Sequence, residues 1–147
     1  MSKTEWRLAN TPLGELAIPY SSDLTGGRTH YTFPDYPNGG LRTTTVDLSK
    51  FLRAIILGGT FEGTQILSSA TVNQIKTEQF GSQEQCLSFY YTTLNGKDYL
   101  GHNGGEAGVT TDMLWDPETG IGAIAFNNDD DTNLDNVMQY LLEFGNN

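Results

Sequence analysis

The chain has 147 residues, of which 18 are Asp or Glu and 8 are Lys or Arg, so its formal net charge is −10. This length predicts one domain, and an aromatic content of 11% excludes an acidic disordered tail. A surface this acidic repels phosphate backbones and anionic lipids, so we expect no nucleic-acid partner. No stretch approaches about 18 uncharged apolar residues, so we expect no membrane partner either.

The first part of the chain is predicted to be irregular. Residues 1–44 contain four of the five prolines and two Gly-Gly pairs. Residues 13–18 read as a short extended piece within this segment. A loop of this length is unusual in a compact domain, and such loops are typically functional or packed against a partner.

Residues 45–80 are predicted to form a helical segment. Thr44 or Thr45 can cap the first helix, and Asp47 lies in the first turn, where the helix dipole favours negative charge. Apolar residues then repeat with helical spacing, at Leu48, Phe51, Leu52, Ile55 and Ile56. Two glycines at 58–59 predict the end of this helix, and a second, short helix is expected from Ser69.

Residues 86–127 change to the pattern of antiparallel strands. The strongest signal is Asn95-Gly96, a two-residue hairpin turn in which both positions favour positive φ. A second turn is expected at residues 116–120, which read Asp-Pro-Glu-Thr-Gly. Strands are predicted at residues 86–94, 97–103, 110–115 and 121–127.

A C-terminal helix is predicted over residues 132–145. Its inner face is expected to consist of Leu134, Val137, Met138, Leu141, Leu142 and Gly145. The three aspartates at 129–131 either mark the start of this helix, where negative charge is favoured, or hold calcium. They lack the alternating ligand spacing of a calcium loop, which favours the helix start.

Together these elements predict a single α+β domain, an antiparallel sheet with flanking helices. The one cysteine, Cys86, cannot form an internal disulfide, and we expect it to be buried. No Cys/His cluster has zinc-ligand spacing, so we expect no metal, and nothing indicates a cofactor. Trp6 and Trp115 are expected to pack rather than to stack on a substrate.

His102 is the residue that points most clearly to chemistry. It lies in Gly-His-Asn-Gly-Gly-Glu-Ala-Gly, at residues 101–108, where four glycines indicate a backbone that something approaches closely. Backbone N–H groups on such a strand can stabilise a developing oxyanion. A histidine there can donate a hydrogen bond or transfer a proton near neutral pH. A purely structural histidine also fits this spacing.

Several segments, in the same order and spacing, resemble the serine β-lactamase-like hydrolases. Residues 36–52 contain Tyr-Pro-Asn-Gly-Gly-Leu and Asp-Leu-Ser-Lys-Phe-Leu, and residues 58–68 read Gly-Gly-Thr-Phe-Glu-Gly-Thr-Gln-Ile-Leu-Ser. Residues 101–108 resemble the family's Gly-His-x-Gly-x-x-x-Gly. Further matches are Thr-Glu-Trp-Arg-Leu at 4–8, the hairpin at 116–122 and Phe-Asn at 126–127. The resemblance implies the C-terminal part of a β-lactamase/transpeptidase-like fold.

The family's nucleophile is the serine of Ser-x-x-Lys, and this motif is absent from the chain. The residues three positions before Lys50, Lys76 and Lys97 are Asp, Asn and Leu. The Tyr-Pro-Asn at 36–38 spells the family's second motif but falls inside the Tyr-Pro-x-Gly-Gly segment, so we interpret it as coincidental. The resemblance therefore implies a C-terminal fragment that lacks the nucleophile and is inactive alone.

The resemblance assigns site residues to the strand that contains His102. His102 takes the position of the lysine in the third motif, Gly104 is the motif glycine, and Gly105 supplies one backbone N–H of an oxyanion hole. Asn103 and Glu106 are the expected substrate contacts. The substrate class implied is a small acyl compound: a β-lactam, an ester or a D-peptide. Histidine in place of lysine removes a fixed positive charge, which weakens the case for β-lactam binding.

A second hypothesis is a non-catalytic module that binds a ligand or partner through the Gly-rich cleft. If the chain is truncated, the resemblance implies that the strand at 121–127 would neighbour, in the intact fold, one of two N-terminal strands that are absent here. The bare edge of residues 121–127, or the adjoining apolar face, predicts a homo-oligomer. The family is often periplasmic or secreted, but the residues present contain no signal-peptide pattern, so the compartment is unassigned.

Overall fold

The computed structural model describes residues 1–79, 81, 85–130 and 132–145. Its helices are α1 (Tyr36–Gly39), α2 (Thr45–Ile56), α3 (Ser69–Lys76) and α4 (Asp135–Gly145). A small hairpin consists of β1 (Thr60–Phe61) and β2 (Thr64–Gln65), and the main sheet consists of β3 (Tyr90–Leu94), β4 (Lys97–Glu106), β5 (Val109–Trp115) and β6 (Gly122–Asn127). The main sheet is antiparallel, in the order β3-β4-β5-β6. The predicted α+β class is confirmed.

The N-terminal segment is more structured than the sequence predicts. Leu13–Glu15 forms a 3₁₀ turn rather than an extended piece, because the Glu15 amide donates back to the Pro12 carbonyl. The helix α1 and the hairpin β1–β2 were also not predicted. The segment is closed on itself by a backbone bridge between Glu5 and Arg42, and it is held to the rest of the chain by a bridge between Tyr20 and Asp129.

Asp47 joins this segment to helix α2. Its buried carboxylate accepts hydrogen bonds from Lys50 Nζ (2.7 Å), from the Lys3 amide (2.6 Å) and from Thr4 Oγ1 (3.1 Å). These donors, with Lys50 the strongest, lower the pKa of Asp47 to about 2. Thr44 caps the helix by accepting from the Asp47 amide, as predicted.

Helices α2 and α3 cover one face of the main sheet. The predicted stripe of α2 supplies Leu52 and Ile55 to the core, whereas Phe51 is 41% exposed. Gly58 and Gly59 have φ angles of 70° and 94° and end the helix, as predicted. The core on this side is completed by residues from α3, from the segment just before β3 and from the sheet, namely Val72, Cys86, Phe89, Leu100, Met113 and Trp115.

The predicted strand at 86–94 is wrong in its first half. The Cys86 amide donates to the Phe89 carbonyl at 2.8 Å, so residues 86–89 form a tight turn, and the strand begins at Tyr90. Cys86 is buried, and its thiol donates to the Lys76 carbonyl. The hairpin turn at Asn95-Gly96 is confirmed, with φ angles of 51° and 77°.

Helix α4 covers the other face of the sheet. Its start at Asp135 lies after the predicted Thr132, because the Asn133 side chain accepts from the Asp135 amide. The core on this side comprises Leu94, Tyr99, Leu114, Ala123, Leu134, Met138 and Leu142. The inner-face prediction is wrong for Val137 and Leu141, which are 48% and 38% exposed.

Asp129 and Asp130 do not mark the start of α4, which begins at Asp135. Asp130 instead accepts from the Gly108 amide and pairs with Arg28 at 2.6 Å. Asp129 accepts from the side chain of Asn127 at 2.8 Å. Asp131 lies outside the described residues.

The two tryptophans differ in their surroundings. Trp115 is 1% exposed, and Phe89 packs edge-on against its ring, which confirms the predicted packing role. Trp6 is 42% exposed and touches Tyr36 at the surface instead of entering the core. In the described part of the chain, no helix is both long and apolar enough to cross a bilayer.

Candidate active site

The strand β4 has an open edge along its glycine-rich half. Its pairing with β3 ends at Gly101, which lies opposite Tyr90, while its pairing with β5 continues to Glu106. Within the described residues, the backbone of residues 102–106 therefore has a strand neighbour on one side only. This leaves polar backbone groups available to a ligand.

The direction of the amides along this edge follows from one contact. The Asn103 amide donates to Tyr90 Oη at 3.0 Å, so it points toward the β3 side of the strand. Amides two residues apart on a strand point the same way. The Gly105 N–H therefore also faces the open edge, which is the direction that an oxyanion-hole donor on β4 requires.

The glycines of β4 differ in what surrounds them. A Cβ at Gly101 would lie 2.0 Å from the Met113 carbonyl oxygen, and one at Gly104 would lie 2.6 Å from Thr111 Oγ1. A Cβ at Gly105 would meet no atom of the described part of the chain within 4 Å. Gly101 is therefore required by the neighbouring strand, whereas Gly105 keeps space free beside its own amide.

The imidazole of His102 is exposed and held in place by its own strand. Its Nδ1 lies 2.5 Å from the Asn103 carbonyl oxygen, and the Tyr90 ring lies edge-on with its centroid 5.2 Å away. A carbonyl oxygen can only accept, so this contact requires a proton on Nδ1. That leaves Nε2 as the ring atom available to accept or donate a proton.

A cavity of about 290 Å³ lies at the end of the β4–β5 hairpin. It is lined by Asn103, Gly104, Gly105, Glu106, Val109, Thr110 and Thr111. Four of the five predicted site residues thus share one cavity. His102 does not line it, although it is adjacent to Asn103 on the same strand.

The N-terminal segment packs against the tip of this hairpin. Tyr31 Oη donates to the Ala107 carbonyl at 2.7 Å, and Arg42 donates to the carbonyls of Tyr31 and Gly40. Burial, reinforced by the Glu106 carboxylate, raises the pKa of Tyr31. The N-terminal segment, through Tyr31, therefore meets the hairpin whose strand β4 carries the predicted site residues.

Neither Tyr31 nor Tyr90 was predicted as part of this region. The sequence marks both only as aromatic residues, one in a loop and one in a strand. Their relation to β4 depends on long-range packing that no local pattern encodes. Tyr36, from the Tyr-Pro-Asn sequence, contacts Trp6 and lies beneath the Arg7 guanidinium, 4.7 Å from ring centroid to Cζ.

Asp112 is a third residue that the sequence did not single out. It lies opposite Asn103 in the β4–β5 pairing, and one of its carboxylate oxygens is buried with no hydrogen-bond partner among the described residues. Burial, with a smaller contribution from the nearby Asp135 carboxylate, raises the pKa of Asp112 to about 6. Since Leu114 two residues later packs under α4, Asp112 faces that side of the sheet, away from His102.

Comparison with solved structures places this architecture in the β-lactamase/transpeptidase-like class of folds. One similar structure is the D-amino acid amidase from Ochrobactrum anthropi SV3, solved in complex with D-phenylalanine. The TM-score is 0.65 at 23% sequence identity, and the match covers 88% of this chain and 43% of the amidase chain. The chain thus spans less than half the length of that enzyme.

The sequence model of the Beta-lactamase family matches residues 3–144. The chain belongs to this family of β-lactamase-like hydrolases, and the resemblance on which the sequence predictions rest is confirmed. No curated protein matches the chain.

Proposed function

We propose that this chain supplies the third-motif strand of a β-lactamase-like serine acyl hydrolase. The observation that carries the proposal is the open edge of β4, where the Gly105 N–H faces outward beside a cavity that four predicted site residues line. Family membership supports the reaction class. The match to 43% of the amidase chain supports the view that the chain is the C-terminal part of such an enzyme.

In this proposal each site residue has a distinct role. The Gly105 N–H donates one hydrogen bond to the oxyanion that forms when an acyl carbonyl is attacked. His102 accepts a proton at Nε2 and, once that atom carries the proton, donates from it to the substrate carbonyl or carboxylate. Asn103 and Glu106 contact the substrate through the cavity that they line.

The proposed substrates are small acyl compounds: a β-lactam, an ester or a D-amino acid derivative. The β-lactam is the weakest of these candidates, because His102 replaces a lysine whose fixed charge would hold a substrate carboxylate. The D-amino acid amidase supports the third candidate only as a structural relative.

The chain by itself is proposed not to turn over substrate. Acyl transfer through an enzyme intermediate needs an activated nucleophile, and no serine of the chain stands three residues before a lysine. A strand that carries only the oxyanion donor and a histidine lacks the group that forms the covalent bond.

Hydrolysis assays on the isolated chain test this proposal. We expect no release of product from a chromogenic cephalosporin, a nitrophenyl ester or D-phenylalanine amide, and no difference between the wild type and His102→Ala. Hydrolysis by the wild type that His102→Ala abolishes would contradict it.

The alternative is a non-catalytic module that binds a small ligand in the cavity beside β4. The cavity, at about 290 Å³, lies at the lower end of the range for small-molecule sites. This alternative also requires no nucleophile. The two proposals therefore differ in whether the same protein contains a further part that carries the nucleophile.

A further inference from the structure

Two tyrosine side chains occupy backbone groups along the open edge of β4. Tyr90 Oη accepts the Asn103 N–H at 3.0 Å, in the place of a carbonyl that a longer β3 would supply. The chain supplies no such carbonyl because residues 86–89 form a tight turn before β3 begins. At the other end of the edge, Tyr31 Oη donates to the Ala107 carbonyl at 2.7 Å.

His102 completes the closure at Asn103. Its Nδ1 lies 2.5 Å from the Asn103 carbonyl oxygen, so both backbone groups of Asn103 are occupied by side chains of the same chain. The Tyr90 ring stands edge-on to the imidazole, with the two centroids 5.2 Å apart. The two rings therefore support each other at the point where the β3–β4 pairing ends.

Gly105 is the exposed backbone unit between these closures. Its N–H and C=O face the same side as those of Asn103, because residues two apart on a strand share a direction. Within the part of the chain that the structure describes, no strand pairs with Gly105 on that side. A ligand can thus form backbone hydrogen bonds with one residue of this edge.

We propose that Tyr90 is a specificity-determining residue which, with Tyr31 at the far end, restricts ligand pairing on β4 to Gly105. The site then takes a compact acyl compound, with its carbonyl at the Gly105 N–H, and discriminates against an extended peptide. An extended peptide that adds a strand to a sheet draws its affinity from main-chain hydrogen bonds along an exposed edge. The inference rests on the proposed function, since it takes the Gly105 N–H as the donor to the substrate.

The energetic reason for the restriction lies at Asn103. An extended chain would have to displace the Tyr90 hydroxyl from the Asn103 amide, and one hydrogen bond exchanged for another adds little net affinity. It would also have to displace His102 from the Asn103 carbonyl. Extra chain length on this side of Gly105 therefore adds nothing to binding in the wild type.

Amide hydrogen exchange on the isotopically labelled chain, followed by NMR, tests the closure. We expect the Asn103 amide to exchange about tenfold faster in Tyr90→Phe than in the wild type, while the Gly105 amide exchanges rapidly in both. Tyr91→Phe is the matched control, because it removes a hydroxyl from the next residue of β3, which packs against the core under α2 and α3. Unchanged exchange of the Asn103 amide in Tyr90→Phe would overturn the closure.

NMR titration with two achiral probes, N-acetylglycine amide and N-acetyltriglycine amide, tests the restriction itself. In the wild type we expect both probes to shift the Gly105 amide signal with equal affinity and to leave the Asn103 signal in place. Tyr90→Ala removes the ring as well as the hydroxyl. In this variant the longer probe should bind about threefold tighter and shift Asn103, whereas the affinity of the shorter probe should stay the same.

The possible outcomes separate this inference from the proposed function. The inference alone is overturned if the longer probe binds the wild type more tightly and shifts Asn103, or if Tyr90→Ala gains no affinity for it. A Gly105 amide that neither probe shifts, in the wild type or the variant, contradicts the proposed function and the inference together. If Tyr90→Ala loses the circular dichroism spectrum of the wild type, Tyr90→Phe takes its place in the titration with the same expected direction.

Discussion

Asp112 places a carboxylate at a position of β5 where the alternation of side chains along the strand would predict an apolar residue. Leu114, two residues further along β5, belongs to the core under α4. Ala125, which lies opposite Asp112 on β6, packs against that core. An unpaired buried carboxylate oxygen costs free energy because water no longer solvates it. Asp112 is thus a destabilising residue in its charged form.

Replacement of Asp112 by Asn is expected to raise the free energy of unfolding by about 1–3 kcal/mol near pH 7.5. The folded-state pKa of about 6 exceeds the ordinary value of 3.8, so the native state binds the proton more tightly. The contribution of the protonated Asp112 carboxyl to the free energy of unfolding is fully present below pH 3.8 and is lost as the pH rises through about 6. The advantage of Asp112→Asn should therefore disappear near pH 4.

Urea unfolding of the wild type and Asp112→Asn at both pH values measures this difference. Asp35→Asn is the control, because Asp35 is exposed and its side chain makes no capping hydrogen bond to α1. A gain of equal size at both pH values would show that the charge of Asp112 is not responsible.

The elements of the fold differ in how far local sequence determines them. Helix α2 and the Asn95-Gly96 turn were predictable, since a cap, an apolar period and a positive-φ pair all lie within a few residues. The turn at 86–89 was not, because Cys-Leu-Ser-Phe has strand composition and its conformation depends on burying Cys86 and Phe89 against α2 and α3. The exposed side of α4 was mistaken for core because sequence shows apolarity but not what covers it.

The site was predictable in the same uneven way. The four glycines and His102 mark β4 locally, and the family resemblance adds their roles. Tyr90, which receives the Asn103 amide, and Tyr31, which anchors the N-terminal segment at Ala107, required the tertiary structure. Asp112 could not be recognised because its burial depends on α4.

Alanine substitutions at two glycines of β4 are expected to have unequal effects on stability. Gly101→Ala should lower the free energy of unfolding by about 1–3 kcal/mol, because its Cβ would lie 2.0 Å from the Met113 carbonyl oxygen. Gly105→Ala should be close to neutral, since no atom of the described residues lies within 4 Å of the added Cβ. Chemical denaturation measures both, and a Gly105→Ala variant as unstable as Gly101→Ala would contradict the open space beside the Gly105 amide.

At the scale of the whole molecule, a folded core accompanies a sequence without the Ser-x-x-Lys that the proposed reaction needs. The sheet holds one hydrophobic cluster on each face, and the family match extends over residues 3–144. Yet the chain spans 43% of the amidase chain and contains no Ser-x-x-Lys. The central claim is that the nucleophile of the proposed hydrolase lies in a separate, N-terminal part of the same enzyme.

The nucleotide sequence upstream of the Met1 codon in the source DNA tests this claim most directly. We expect an open reading frame of roughly 100–150 codons, about a domain's length, that encodes Ser-x-x-Lys followed by Tyr-x-Asn. An in-frame stop codon immediately before Met1 would contradict the claim. His102 and Gly105 would then belong to a binding module that never contained a nucleophile.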